Sequence, residues 1–238
     1  MKLKFFIVFS VLFFAKEINA QKKYNHSGIY TAIGYEFGFL FSDIKETTIP
    51  FTNNTINNNF NHSLSITGLY KTAFNTEIKL GYMTSYSSLT IEGSNNNKSF
   101  IIDNNYFTHT FFIGGGYNFV VKDDIDITIG LGSAVTYIKK AFISENEGEV
   151  NNQIVATNNS IKRANVYLVP EISMTKHLKN GNTLTIGSKY YHSANDFFMQ
   201  GSVENKNNGI VIKKVNFSTQ NNQIAFYLNY GFNLSKLF

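Results

Sequence analysis

His192 and Ser193 place a general-base side chain beside a hydroxyl nucleophile. Hydroxyl chemistry needs such a base within hydrogen-bond reach. Adjacent residues of a strand point to opposite faces, so this pair forms no relay if the segment is extended. The other histidines, His26, His62, His109 and His177, are scattered. None pairs with another at ligand spacing and there is no cysteine, so no metal site is expected. The remaining candidates are charges inside otherwise apolar segments: Glu36, Glu77, Lys79, Asp126, Glu171 and Lys189. Their role depends on the elements that carry them.

Those elements read as strands, because hydrophobicity alternates at period two. Eight stretches stand out: 28–41, 62–71, 76–87, 106–119, 125–137, 163–176, 183–192 and 222–234. The links after the second, fourth and sixth are short, the last with an Asn180-Gly181 turn pair. The links after the first, third, fifth and seventh are long and polar, at 42–61, 88–105, 138–162 and 193–221. Short turns alternating with long loops are the pattern of a membrane-spanning meander. Pro170 is awkward, since it removes a ladder donor within the sixth strand; it predicts a bulge or a misplaced span.

One parity of each strand is bulky and uncharged, as in Ile29, Ile33, Tyr35, Phe37 and Phe39, or Ile224, Phe226, Leu228, Tyr230 and Phe232. The other parity carries glycines together with Glu36, Glu77, Lys79, Asp126, Glu171 and Lys189. A charge facing lipid at mid-depth costs roughly 2–4 kcal/mol, so the charged parity must face inward. An eight-stranded barrel leaves little interior room, which explains the small residues there. A soluble barrel would invert the pattern. The fold class expected is therefore all-β, an eight-stranded antiparallel up-and-down transmembrane barrel. Buried charges are tolerated only when paired, and four acids face two bases. Arg163, water or protonation would have to complete a salt-bridged plug; the alternative is a pore lining.

The first twenty residues differ from the rest. Lys2 and Lys4 precede the apolar run Phe5 to Ala15, and Ala20 precedes Gln21. That is the pattern of a cleaved signal peptide, giving a signal segment 1–20 and a barrel domain 21–238. No later segment approaches the roughly 18 apolar residues of a membrane helix. Charged residues are 16% of the chain, against roughly 25% in soluble domains. The net charge of +5 falls to +3 without Lys2, Lys4, Lys16 and Glu17, and the basic residues form no stripe, so nucleic acid is not an expected partner.

The final segment, Tyr230-Gly-Phe-Asn-Leu-Ser-Lys-Leu-Phe238, resembles the C-terminal signature of outer-membrane barrels, with Tyr230, Phe232, Leu234 and Phe238 on one parity. In that family the segment is read by the barrel-assembly machinery. Lys236 on the same parity departs from the pattern. The chain as a whole resembles the small eight-stranded group of outer membrane protein X, the transmembrane domain of outer membrane protein A and the opacity-type surface antigens. The resemblance implies a cell outer membrane location, contact with outer-membrane lipid and lipopolysaccharide, and a monomer without cofactor. Residues 190–195, Tyr-Tyr-His-Ser-Ala-Asn, distantly resemble the His-x-Ser-Asn element of lipid A deacylase barrels. There His and Ser stand two apart; here they are adjacent, so no catalytic residue is expected. A narrow porin-like channel is the other alternative. The loops are Asn-rich, as at 53–59, and 210–219 alternates well enough to predict a protruding hairpin. The function expected is a non-catalytic surface barrel whose loops serve adhesion, binding of an extracellular ligand, or envelope integrity.

Overall fold

Strict alternation of inward and outward residues is what a closed antiparallel sheet requires, and the chain delivers it in eight long strands. The computed structural model describes residues 26–41, 44–46, 53–95, 98–145, 154–161, 163–195, 199–207, 210–219 and 222–236. In chain order the strands are β1 (Gly28–Phe41), β2 (Ile44–Glu46), β3 (Asn53–Lys71), β4 (Thr76–Asn95), β5 (Lys98–Lys122), β6 (Ile125–Glu145), β7 (Ile154–Ile161), β8 (Ala164–His177), β9 (Thr183–Ser193), β10 (Met199–Asn207), β11 (Ile210–Thr219) and β12 (Asn222–Asn233). Strands β1, β12, β9, β8, β6, β5, β4 and β3 close into a barrel in that order.

Short turns gather at one mouth. Asn75 takes φ 61° in the β3–β4 turn and Gly181 takes φ 88° in the β8–β9 turn. Both are residue types that tolerate left-handed backbone, and both keep the connection tight. Pro170 makes neither a bulge nor a break in β8. It sits opposite Leu131 of β6 in unbroken register. Pairing to β9 lapses at Val169 and Pro170 and resumes at Glu171 with the same offset, so the missing donor is absorbed on one side only.

At the other mouth the long links are largely strands, not loops. β3, β4, β5 and β6 run on beyond the belt as one tall wall. The opposite side carries a second, four-stranded sheet in the order β2-β11-β10-β7. That order copies β1-β12-β9-β8 below it, because each upper strand adjoins its lower counterpart in the chain. The hairpin expected at 210–219 does form with β10, but inside this separate sheet. β7 also packs against β5 and β6 of the tall wall. The signal segment 1–20 and Phe238 lie outside the described residues.

Candidate functional site

The lumen is built by the inward row of every barrel strand. Glu36 is 1% exposed, and Glu77, Lys79, Asp126 and Glu171 are also buried there, with Lys189 nearly so. They form a connected series. Glu36 meets Lys189 at 2.8 Å and accepts the Tyr191 hydroxyl at 2.9 Å. The Lys189 ammonium also stands over the Tyr227 ring, 4.6 Å from its centroid. Tyr227 donates to Glu171, which meets Lys79 at 2.8 Å. Lys79 meets Glu77 at 2.7 Å, and Glu77 lies 3.7 Å from Lys71. Lys71 reaches Asp126 at 3.2 Å, and Asp126 holds His177 at 2.7 Å.

Arg163, expected to complete this balance, is exposed and takes no part in the series. Lys71 and His177 complete it. Sequence reasoning missed both because they close strands β3 and β8, although both fall on the inward parity. His177 also corrects the view of scattered histidines: its ring stacks on His26 at 3.6 Å between centroids. The stacked arrangement is parallel and does not converge on a common point, and among the described residues no cluster could hold a metal ion.

Above the ion pairs the lumen narrows. Met83, Ala134, Tyr167, Val169, Tyr191 and Ala225 form a buried apolar cluster with Phe112 against it. Gly132 makes this waist possible: a Cβ there would stand 2.5 Å from the Phe112 ring and 2.7 Å from the Ile113 carbonyl oxygen. Below the waist lies a chamber of about 530 Å³, counting its open side, lined by Lys71, Glu77, Lys79, Glu171 and Lys189 among others. Above it lies one of about 370 Å³ whose lining holds no charged residue; Asn61, Ser85, Ser87, Thr108, Thr110 and Gln223 contribute.

The outer surface is the reverse. Leu64, Phe111, Ile113, Ile66 and Leu131 are more than half exposed. Tyr86 and Phe107 cap it in ring contact at 5.2 Å, and His109 and His62 lie on it as partners of Tyr82 and Tyr35. Tyr230 and Phe232 of the C-terminal segment face outward and touch edge to face, while Leu234 starts a 3₁₀ turn.

Farther along the hairpin the residue types of the two parities change places. β4 and β5 pair from Thr76↔Tyr117 to Asn95↔Lys98 with no register shift. The parity that faces inward at Met83, Ser85 and Ser87 continues in the sequence as Leu89, Ile91 and Gly93, and that of Thr110, Thr108 and Tyr106 continues as Asn104, Ile102 and Phe100. The parity that faces outward at Tyr82, Thr84 and Tyr86 continues in the sequence as Ser88, Thr90, Glu92 and Ser94. The bulky outer row thus lasts about eleven residues, which at about 3.3 Å each and a tilt near 40° spans about 28 Å, a hydrocarbon thickness.

His192 and Ser193 fall on opposite faces. His192 is exposed outside; Ser193 is buried inside, its hydroxyl 3.3 Å from the Asn195 backbone nitrogen. The two groups are not brought together.

No family model matches the chain, and a search of curated proteins finds no match. Among solved structures, the chain is similar to the outer membrane protein OprG from Pseudomonas aeruginosa, at 12% identity over 90% of this chain and 98% of that one, with TM-score 0.55. It also matches the translocator domain of the autotransporter NalP from Neisseria meningitidis, at 12% identity over 87% and 89% and TM-score 0.39. A third is Ail, the attachment invasion locus protein of Yersinia pestis, at 9% identity over 86% and 99% and TM-score 0.32. The OprG likeness shows a shared fold, that of the small outer-membrane barrels.

Proposed function

We propose that the chain is an exported outer-membrane barrel of the surface-interaction class, with a closed lumen that anchors a folded extracellular structure. The exchange of polarity between the rows of β4 and β5 carries this reading. Below Tyr86 and Phe107 the apolar parity faces away from the barrel, as lipid requires; beyond them the sequence of that same parity turns polar, as water requires. The short-turn mouth is then periplasmic. Outer-membrane lipid and lipopolysaccharide are the partners of the belt. Tyr230, Phe232, Leu234 and Phe238 serve as the segment read by the barrel-assembly machinery. An extracellular ligand, in adhesion or in maintaining the envelope, is the partner of the upper strands, and the barrel works as a monomer without catalysis.

Closure of the lumen is supported by the waist of Met83, Phe112, Tyr167 and Tyr191 and by the pairing of the buried charges. Cell fractionation with surface proteolysis tests the placement. The chain is expected in the outer membrane, with cleavage from outside confined to residues above the belt; recovery from the soluble periplasm ends the proposal. A narrow pore is the second reading, favoured by the chambers on both sides of one thin waist. Planar-bilayer recordings separate the two. Silence is expected, and steady conductance that responds to Glu36→Gln or Lys189→Met would establish the pore.

A further inference from the structure

Two histidines on the outer face are held by tyrosines in the same way. Tyr35 of β1 pairs with Leu64 of β3, and Tyr82 of β4 pairs with Phe111 of β5. In each case the residue two positions farther up the partner strand is a histidine, His62 or His109. Diagonal neighbours on one face are within reach of an aromatic side chain. The Tyr82 hydroxyl meets His109 Nδ1 at 2.6 Å, and the Tyr35 hydroxyl meets His62 Nδ1. The Tyr82 and His109 rings lie 5.9 Å apart with 15° between their planes. Phe37 and Phe60 flank the His62 ring at 5.1 and 5.3 Å. Each imidazole is therefore fixed by its neighbours.

Fixing the first nitrogen decides the role of the second. In a neutral imidazole one nitrogen accepts and the other donates. A tyrosine hydroxyl that donates to Nδ1 leaves the proton on Nε2. Among the described residues Nε2 of neither ring has a hydrogen-bond partner. A donor left in hydrocarbon without an acceptor is costly. The position of the rings supplies an acceptor. His62 pairs with Tyr86, which pairs with Phe107, the row that ends the bulky belt. His109 lies one outward step lower, opposite Thr84. Aromatic belts of this kind sit at the level of lipid head groups. Two cationic residues share that level. Lys140 pairs with Phe107, and the carbonyl of the exposed Arg163 accepts from the nitrogen of Ile138, which pairs with Thr108. Fixed donors on a rim that also carries cations suit an anionic acceptor, and phosphate oxygens make the stronger, charge-assisted bond.

We propose that the Tyr35–His62 and Tyr82–His109 pairs are docking points for the phosphate groups of outer-leaflet lipopolysaccharide, each donating from Nε2 to a phosphate oxygen. Such docking rests on the outer-membrane placement above and adds to it the atoms that grip the head group.

The full chain, with nitrogen-15 in its histidines, is refolded into bilayers of diglucosyl diacylglycerol, a lipid without phosphorus, with lipid A as the sole source of phosphate. Solid-state nuclear magnetic resonance then measures the dephasing of each imidazole nitrogen by phosphorus-31, which requires the two nuclei to be close. Nε2 of His62 and of His109 should dephase, and the rings of His26 and His177, stacked at the other mouth, should not. His62→Phe and His109→Phe, which keep an aromatic ring on the outer face, should each abolish one dephased signal. Tyr82→Phe, which removes the hydroxyl that orients His109, should weaken the His109 signal and leave that of His62. A second sample replaces lipid A with inorganic phosphate at equal phosphorus, and flotation of the bilayers reports insertion. An inserted barrel with no dephasing at either Nε2 would overturn the docking and leave the placement standing. Equal dephasing by inorganic phosphate would reveal an adventitious anion only, and would overturn it as well. A chain that does not insert would sink the placement, and the docking with it.

Discussion

Lys189 joins Glu36 to the Tyr227 ring, whose hydroxyl donates to Glu171. It is held by Glu36 at 2.8 Å and framed by the Tyr227 and Phe112 rings. Its side chain is 14% exposed and that of Glu36 1%, so water cannot substitute for the pair. Removing one partner of a buried pair leaves an uncompensated charge and costs about 3–5 kcal/mol, whereas replacing both with groups of similar volume is often neutral. Lys189→Met is therefore expected to lower the unfolding free energy in bilayers by about 3–5 kcal/mol, and the double change Glu36→Gln with Lys189→Met to recover most of it. Urea titration of the two variants checks this; equal losses would mean that the pair is not what stabilises the lumen. At the waist, Gly132→Ala drives a methyl group into the Ile113 carbonyl and the Phe112 ring. The expected cost is about 1–3 kcal/mol in the same titration.

In the proposed placement, the β4–β5 hairpin marks the boundary between lipid and water by a change of residue type along one parity, with its pairing unbroken. Phe111 pairs with Tyr82 near the middle of the belt and is 63% exposed; Asp103 pairs with Thr90 farther along the same hairpin, at the same parity in the sequence. Phe111→Lys is expected to cost about 2–4 kcal/mol and Asp103→Lys close to none. Comparable losses at both sites in refolding titrations would move the boundary or abolish it. The same exchange of rows explains what the residues disclosed in advance. The eight strands within the belt were legible because a bulky outer row alternates with a small or charged inner one. The extensions were not, because beyond Ser87 and Tyr106 the apolar residues pass to the other parity of the sequence. Followed along the lipid-facing parity, β4 stops at Tyr86, although Leu89, Ile91, Ile102 and Phe100 alternate just as regularly on the other. The six interior charges were legible by parity, while Lys71 and His177, closing their strands, and the stacking of His26 depended on how the mouth closes. The copied order of the upper sheet depends on which of β2, β7, β10 and β11 pair with one another, which parity along a single strand does not announce.

At the scale of the molecule the barrel and its upper storey are separable by pairing. Among the described residues, the barrel pairing of β1, β8, β9 and β12 lies within Gly28–Phe41, Ala164–His177, Thr183–Ser193 and Asn222–Asn233, whereas β7, β10, β11 and β2 pair with one another. The upper sheet meets the rest through β7 against β5 and β6. Hydrogen bonds within the barrel therefore do not depend on it, and long connections add little to the free energy of closure because the cost grows only with the logarithm of loop length. Replacing residues 196–221 by a short Asn-Gly turn between β9 and β12 deletes β10 and β11, and with them all pairing of β7 and β2. The barrel is expected to refold with its gel shift intact and its urea midpoint unchanged, since the belt, waist and ion pairs are all retained. The surface binding proposed for the upper strands is expected to vanish with the sheet. A shortened chain that no longer folds would show instead that the upper sheet templates closure of β1 on β12, the pair that joins the two ends of the chain. The barrel and its upper storey would then be a single cooperative unit.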